Sequence, residues 1–545
     1  MIAGAASGNV ETCVIRSVDK PTSSQLLITS EFLMPVNPFH KTRCITKAWL
    51  VGLVFCLLTP QLVHAQPAEK KIAEKKSGGN DTWQVIYIGK GRVGYTHSTT
   101  STLKRDNRTV FKAINETNMT IKRFGQTLRM STRTETEETQ DGRLISFNHE
   151  VRNPPADTTR TVGRVNGKML ELSVTTAGRT KRKTMPWDPA VKSPAWQDRA
   201  LREKPLRPRG VRTFKTFLPE FNKVTTVKVA ADDYQIVKLY DGRSRKRLKV
   251  RITQSVLPTL TVRAFLDADG EASKTETDFL GTAMITYTVP REVAMQELAG
   301  GELDIAVNTL VRVAKPIRRG HRSRKVVYRI TTPDMDSSKV FPTGDTQQVK
   351  KVSEDTIELT VTALDIPARS RIKKTKPEYL APSRFLQSDD RLVIDHANRA
   401  SAGEFDPGKI AVRMEKHVRD KLSKKNFSTA LASAAEVAKN LEGDCTEHAV
   451  LLAAMLRVKK IPSRIAVGMV YIEGRNVFGG HMWTEAWLDG KWIPLDATLG
   501  RGGIGAAHIK LAESSFAQDG PAPIAIFVPL LKVLGKMKIE VVSAE

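Results

Sequence analysis

Three side chains in the C-terminal part of the chain could together perform acyl transfer through a thioester. They are the thiol of Cys445, the imidazole of His481 and the carboxylate of Asp496. This chemistry requires a nucleophile, a base that takes its proton and a group that orients the base. Each residue alone is more often structural, because a lone cysteine is commonly buried and inert. The prediction therefore depends on the elements that would bring the three together.

A helix is predicted directly after the cysteine. Apolar residues recur at i, i+3, i+4 and i+7 from Ala449 to Leu456, so one face of Thr446 to Arg457 should pack against a core. Cys445 follows a Gly-Asp turn and would lie at the positive end of this helix, where an anion is stabilised. We therefore predict a depressed pKa for the thiol, and free N–H groups in the first turn that could bind an oxyanion.

The histidine and the carboxylate are predicted on either side of a hairpin. A buried strand from Ile465 to Ile472 is followed by a glycine-containing loop, and a second strand should begin at His481. The dipeptide Asp489-Gly490 favours a two-residue turn in which Leu488 pairs with Lys491. In that register Asp496 lies on the same face as His481 and diagonal to it, close enough for their side chains to meet.

At these positions the chain resembles the transglutaminase-like superfamily, whose papain-type site uses Cys, His and Asp. The resemblance is carried by GDCTEHAVLLAAMLR, IPSRIAVG and HMWTEAWLDGKWIPLDAT, with 36 residues from Cys445 to His481 and 15 more to Asp496. It implies a bacterial, papain-type α+β domain over about residues 378–515. Cys445 would be the nucleophile, His481 the general base and acid, and Asp496 its orienter. It also implies a protein or peptide substrate, either hydrolysis of peptide or isopeptide bonds or acyl transfer to an amine, and no cofactor.

Three alternatives stay open for these residues. His448 competes with His481 as the base, although it lies on the nucleophile's own helix and would more readily pack beside the site with Glu447. Cys445, His448, His481 and Asp496 could form a zinc site, because Cys and His three residues apart on a helix can share an ion. The protein could also be a non-catalytic binding or scaffolding protein of the cell envelope that retains the fold.

The first 65 residues predict a secretory signal peptide. A basic region from His40 to Lys47 precedes the largely apolar stretch Ala48 to Leu58 and the small-residue sequence Val63-His64-Ala65. Met34 is then the expected start, and cleavage is expected before about Gln66. The product would be exported, periplasmic or secreted, without a transmembrane anchor.

Export would leave a single cysteine in the mature chain. Cys13, Cys44 and Cys56 precede the predicted cleavage site, so only Cys445 follows it. No intrachain disulfide is then possible. An odd thiol in an exported protein suggests a reactive group.

The charge balance favours acidic partners. The chain has 86 Lys and Arg against 58 Asp and Glu, a formal net charge of +28. About +26 remains after residue 65, because the first 65 residues hold five basic and three acidic side chains. Such an excess suits an acidic envelope polymer or another anionic surface, although a solvated surface fits equally well. Specific nucleic-acid binding is not favoured, since no recognised motif accompanies the charge and only 6% of residues are aromatic.

A long antiparallel β region is predicted before the catalytic domain. Residues 66–82 are charged and small, which predicts a flexible linker. Alternating patterns and the dipeptides Asp141-Gly142, Asn166-Gly167, Asp241-Gly242 and Asp269-Gly270 predict strands and hairpins over residues 83–290. A proline-containing basic break from Met185 to Arg212 could divide this region into two lobes.

The remaining segments are predicted to support the catalytic domain. Residues 291–377 should form a connector with strands at Glu302–Val313, Lys325–Thr332 and Asp355–Leu364. Amphipathic helices are predicted from Leu392 to Ala402, after Pro407 and after a capping box at Ser433. Residues 516–545 form a tail whose apolar run should pack on the domain.

Overall fold

The computed structural model describes residues 80–105, 108–123, 125–154, 156–176, 178–279, 281–298, 304, 309–429, 431–518 and 523–545. All of them belong to one compact unit. The predicted signal peptide lies outside the described residues, as does the predicted linker except for residues 80–82, which begin the first strand instead. Among the described residues, no helix is long and apolar enough to cross a membrane.

One large antiparallel sheet forms the N-terminal half. Its strands are β1 (Asn80–Ile88), β2 (Gly91–Arg105), β3 (Arg108–Arg123), β4 (Gln126–Thr139), β5 (Leu144–Asn153), β6 (Ala156–Asn166), β7 (Met169–Thr176), β8 (Arg179–Pro186), β9 (Val211–Leu218), β10 (Lys223–Lys238), β11 (Ser244–Gln254), β12 (Leu257–Leu266), β13 (Ala272–Phe279) and β14 (Thr282–Val289). Each strand lies beside the next along the chain, except that β8 and β9 form the two edges and β1 pairs with β14 in the middle.

The sequence patterns that predict this sheet appear in its strands and turns. On β11, Leu248, Val250 and Ile252 are buried while the residues between them are more exposed, as the period of two requires. The four predicted turns join consecutive strands, and their glycines have positive φ values, from 58° at Gly167 to 83° at Gly142. The basic break falls between the edge strands and contains helix α1 (Trp196–Glu203), and the strands before and after it belong to the same sheet.

Helices and two smaller sheets form the C-terminal half. The helices are α2 (Arg291–Ala294), α3 (Arg391–Ser401), α4 (Pro407–Lys421), α5 (Ala434–Asn440), α6 (Cys445–Val458) and α7 (Val528–Val533). The strands are β15 (Val311–Arg312), β16 (Lys325–Thr331), β17 (Gln347–Lys351), β18 (Thr356–Thr362), β19 (Ser463–Ile472), β20 (Val477–Leu488), β21 (Lys491–Leu495), β22 (His508–Ser514) and β23 (Lys538–Ala544). One sheet has the order β15-β20-β19-β22, with β21 also paired to β20, and the other has the order β17-β18-β16-β23.

Helix α6, which begins at Cys445, is enclosed on all sides. Every residue from Cys445 to Arg457 is buried, because α6 packs on β19 and β20 and contacts α3, α4 and α5. The sequence predicts only one apolar face, so the helix is more deeply buried than its pattern indicates. The Thr484 hydroxyl donates to the carbonyl of Ala449 at 2.8 Å and so ties the helix to β20. The first residue of α6 therefore lies inside the core and not on its surface.

Some predicted strand boundaries are wrong. β20 begins at Val477, four residues before the predicted start at His481, because β19 and β20 pair out to Ile472 and Val477. The connector contains the predicted β16 and β18, but β17 was not expected. The tail provides both α7 and β23, and β23 pairs with β16. Short strands of this kind depend on a partner distant in the sequence, which local patterns do not identify.

Candidate active site

Cys445 is the first residue of α6, and the residues around it form a capping box. The Asp444 carboxylate accepts from the N–H of Thr446 at 3.0 Å, and the Glu447 carboxylate accepts from the N–H of Asp444 at 3.0 Å. A side chain at Gly443 would collide with Glu447, since a Cβ there would lie 2.4 Å from it. The sequence Gly-Asp-Cys-Thr-Glu therefore fixes where the helix begins. The same box occupies the N–H groups of Thr446 and Glu447, which were predicted to be free for an oxyanion.

The Cys445 thiol is completely buried and accepts a hydrogen bond from the backbone N–H of Met482 on β20. Burial raises the pKa of this thiol well above its usual value, and the Asp444 carboxylate adds to the rise. The Met482 N–H and the charge of Arg123 act against this rise in pKa. The predicted depression of the thiol pKa is therefore wrong for this closed arrangement, because loss of solvation outweighs the favourable helix end.

His481 and Asp496 are hydrogen-bonded to each other and both are buried. The imidazole Nε2 lies 2.8 Å from Oδ2 of the carboxylate. Since the carboxylate accepts, Nε2 carries the proton and Nδ1 of the neutral ring has a free lone pair. In the part of the chain that the structure describes, Nδ1 has no hydrogen-bond partner, and no hydrogen bond joins His481 to Cys445. The next residue along the strand is Met482, whose N–H contacts the sulfur, so the base and the thiol lie beside the same backbone segment.

The predicted hairpin register brings Asp496 to His481. Leu488 pairs with Lys491 across a two-residue turn, and Asp489 and Gly490 both have positive φ, at 51° and 84°. This is the geometry that a tight Asp-Gly hairpin turn requires. The ladder ends at Leu495, and the Asp496 backbone leaves the sheet at the point where its side chain meets the imidazole.

A second histidine, His508, also contacts the Asp496 carboxylate. It is the first residue of β22, it is buried, and its Nε2 lies 3.2 Å from the same Oδ2 that His481 contacts. Burial disfavours the charged form of Asp496, but His481 and His508 outweigh it and hold the pKa of this carboxyl well below its usual value. The sequence analysis missed His508. The alternation of Ile509 and Leu511 with polar residues was the available indication of a strand there.

Glu415 on α4 supports Asp496 from the other side and was also missed. Its buried carboxylate accepts from the N–H of Asp496 at 2.9 Å and from the N–H of Gly502 at 2.6 Å. Burial raises the pKa of Glu415 to about 8, although these N–H groups oppose the rise. The carboxylate thus links α4 to the loop that follows β21, and the position of Asp496 depends on it.

His448 has a structural environment. Its Nδ1 lies 2.5 Å from the carbonyl of Asp444 and its Nε2 lies 3.3 Å from Nζ of Lys425. Burial, with the charge of Lys425, lowers the pKa of His448 to about 3, so the ring is neutral. Both nitrogens are engaged away from Cys445, which agrees with a packing role and not with the role of the base.

The four-residue zinc site that was left open as an alternative is disfavoured, because both nitrogens of His448 contact other groups. A different set, His481, Asp496 and His508, has ligand atoms within 4.8 Å of one another. Two imidazoles and a carboxylate are chemically suited to zinc. Both Nε2 atoms, however, stand at hydrogen-bond distance from one Asp496 oxygen, and donated protons account for this geometry.

Comparison with known proteins gives one informative match. Residues 394–497 match the transglutaminase-like superfamily, and this range contains Cys445, His481 and Asp496. No curated protein matches the chain.

Three solved structures show weak similarity to the chain. A candidate cysteine protease from Cytophaga hutchinsonii is 17% identical, with a TM-score of 0.26 over 40% of this chain and 81% of that one. A protein described as beta-barrel-like, of a domain of unknown function from Brucella abortus, is 11% identical, with a TM-score of 0.29 over 38% of this chain and 96% of that one. A candidate protease from Parabacteroides distasonis is 15% identical, with a TM-score of 0.17 over 63% of this chain. The match spans 64% of that protein, less than two thirds of its length.

Proposed function

Because the C-terminal part of the chain is a transglutaminase-like domain, we propose that the protein is a cysteine-dependent amide hydrolase or acyl transferase. The observation that carries the proposal is the buried pair of His481 and Asp496, which lies beside the strand that contacts Cys445. In this pair Nε2 is bound to the carboxylate, and Nδ1 has no partner among the described residues. A thiol nucleophile requires a base that is held in position by a hydrogen bond at one ring nitrogen and can take the thiol proton at the other.

The reaction proceeds through two acyl transfers. His481 Nδ1 takes the proton of Cys445, the sulfur attacks the amide carbonyl, and a C–S bond forms. The C–N bond then breaks, and the imidazolium gives its proton to the departing amine. Water, or an amine in a transfer reaction, attacks the thioester with His481 again as base, and the thiol is restored. Asp496 stabilises the imidazolium that exists between these steps.

The strand β20 supplies a backbone donor beside the sulfur, the N–H of Met482. The first-turn N–H groups of Thr446 and Glu447 are bound by Asp444, whereas the Met482 N–H is directed at the sulfur. When the thiol becomes part of a thioester, this N–H remains next to the sulfur that carries the acyl group. Backbone donors of this kind supply a large share of the stabilisation in acyl transfer.

The raised pKa of Cys445 favours one order of events. A thiol that is neutral at pH 7 is activated only when the base takes its proton, so a resting thiolate–imidazolium pair is not needed. Cys445 and His481 are both buried, so the substrate must gain access to them before this transfer. Hydrolysis of peptide or isopeptide bonds is the first choice of reaction, and transfer to an amine differs only in the final nucleophile.

The test is detection of the acyl-enzyme. Mass spectrometry of the protein incubated with peptide and glutamine-peptide libraries should show an adduct on Cys445. The adduct should be absent in Cys445→Ala. In His481→Ala it should accumulate only if the sulfur still attacks the amide carbonyl without the base. New peptide termini would identify a protease, and ammonia release with amine incorporation would identify a transferase. Turnover that persists in Cys445→Ala would contradict the proposal.

A non-catalytic binding protein is the second candidate. The observation in its favour is the complete burial of Cys445, because a nucleophile normally faces a cleft. In that case no library should give an adduct on Cys445, and Cys445→Ser should bind the same envelope component as the natural protein.

A further inference from the structure

The N-terminal sheet contacts the C-terminal half next to Cys445. Arg123, at the end of β3, forms an ion pair with the carboxylate of Asp444, and both side chains are buried, with 3% and 1% exposed. The two residues are 321 positions apart. The Asp444 Oδ1 atom caps the N–H of Thr446, and Oδ2 binds Arg123, so one carboxylate joins the sheet to the first turn of the nucleophile's helix.

A second set of contacts fixes Arg123 in this position. Its Nη1 donates to the carbonyl of Thr429 at 3.2 Å, and its guanidinium lies 5.6 Å from the ring centre of Phe427. From the start of β4, Gln126 accepts from the N–H of Phe427 at 2.7 Å. The N–H of Gly443 in turn donates to the carbonyl of Lys424. The hairpin between β3 and β4 is thus docked on residues 424–429, which also contact the residue before the cap.

A buried guanidinium is costly unless it is paired, so the choice of its partner carries information. The Arg123 guanidinium binds the carboxylate of Asp444, the residue immediately before Cys445. We infer that Arg123 is a positioning residue for Cys445, contributed by the N-terminal sheet to the active site of the C-terminal domain. This inference rests on the proposed role of Cys445 as the nucleophile.

The geometry explains how Arg123 would act on the sulfur. Asp444 sets the start of α6, and the start of α6 places Cys445 against the N–H of Met482. The guanidinium also balances the charge of the carboxylate: Asp444 raises the pKa of the Cys445 thiol, and Arg123 lowers it. Removing either partner should therefore shift the thiol pKa, in opposite directions.

The experiment compares Arg123→Gln, Asp444→Asn and a control, Arg129→Gln, in the full chain. Arg129 lies exposed on β4 of the same sheet. Asn is as good an N-cap residue as Asp, so Asp444→Asn removes the charge and retains the cap. The readout is the pH at which alkylation of the Cys445 peptide by iodoacetamide reaches half its maximum rate, measured by mass spectrometry. The inflection is compared between each variant and the wild type under the same conditions.

The expected shifts have opposite signs. Arg123→Gln should raise the inflection by about one pH unit, and Asp444→Asn should lower it by a similar amount, as removal of one nearby charge does. Arg129→Gln should leave it unchanged. Arg123→Gln should also lower kcat by about tenfold with little change in KM, because the misplaced sulfur affects the chemical step.

Two results would overturn the inference. One is an Arg123→Gln protein with the wild-type inflection and kcat and a lower free energy of unfolding, which would make Arg123 purely structural. The other, if Arg123→Gln does not fold, is a wild-type inflection in Asp444→Asn, which retains the N-cap and removes the charge. Turnover that survives in Cys445→Ala would defeat the proposed function instead, while the alkylation shifts would still report on Arg123.

Discussion

Nε2 of His481 lies 2.8 Å from Oδ2 of Asp496, at the open end of a hairpin whose turn consists of Asp489 and Gly490 alone. The turn sets the register of β20 and β21, and Glu415 on α4 then binds the N–H of Asp496 where the chain leaves the ladder. Two features therefore position the Asp496 carboxylate: the turn, which is local in sequence, and Glu415, which is distant in sequence. Each can be removed separately.

Asp496→Asn should preserve the fold and lower turnover. The amide can still accept from Nε2 of His481, but it lacks the charge that stabilises the imidazolium, and either imidazole tautomer becomes acceptable. We expect a loss in kcat of about a hundredfold or more, by analogy with the larger loss from this change in a serine-protease triad. Steady-state kinetics and circular dichroism measure the two effects. A kcat within threefold of the wild type would show that Asp496 does not orient the base.

His508 should matter through the N–H that it presents to Asp496. His508→Phe removes this donor from a buried carboxylate and should lower kcat by about tenfold, because the carboxylate can rotate away from His481. His508→Gln can retain a donor at a similar reach and should keep most of the activity. Equal losses in the two variants, with equal falls in the unfolding temperature, would assign His508 to packing alone.

One extra residue between Asp489 and Gly490 should damage activity more than folding. A three-residue loop shifts the pairing of β21 by one position and reverses the faces of its side chains. Asp496 would then be directed away from His481, and we expect turnover to fall by about a hundredfold. The same insertion between Asp241 and Gly242, in a turn of the N-terminal sheet, is the control and should leave kcat unchanged. The free energy of unfolding in urea should differ little between the two insertions.

Cys445 should make the protein less stable in alkali. Its thiol pKa is raised in the folded chain, so the contribution to stability is complete below the pKa of the unfolded thiol, about 8.5, and is lost as the pH rises above that value. Cys445→Ser does not titrate there and should lose less stability between pH 8 and pH 10. Urea unfolding under reducing conditions measures the difference. Parallel pH profiles for the two proteins would show that the folded thiol is not shifted.

The natural protein should begin near Gln66 and be found outside the cytoplasm. The basis is the succession of basic, apolar and small residues that ends at Ala65. N-terminal sequencing of the protein from fractionated cells measures both properties. A cytoplasmic protein that retains Met1 or Met34 would contradict export, and with it the argument that Cys445 is the single cysteine of the mature chain.

The parts of this structure that sequence predicts are those specified by neighbouring residues. The capping sequence before Cys445, the helix that follows it and the Asp489-Gly490 turn are local, and from them the pairing of His481 with Asp496 can be deduced. The same holds for the glycine turns of the large sheet, whose positive φ values restrict the choice of residue.

The parts that sequence does not predict depend on contacts between distant segments. Arg123, Glu415 and His508 each reach the site from another element, and none belongs to a local motif. The predicted direction of the Cys445 pKa shift is wrong for the same reason. The position of the thiol at the helix start is a local property, whereas its burial depends on the elements packed around α6, and burial has the larger effect.

The pairing of β1 with β14 has a consequence for how the chain folds during synthesis. Gln84 and Thr288, which are hydrogen-bonded across these strands, are 204 positions apart, so β1 emerges long before its second neighbour exists. Until β14 has been made, one edge of β1 is open to pairing with other chains. Contacts this far apart also slow folding. Truncations that end before β14 should therefore aggregate.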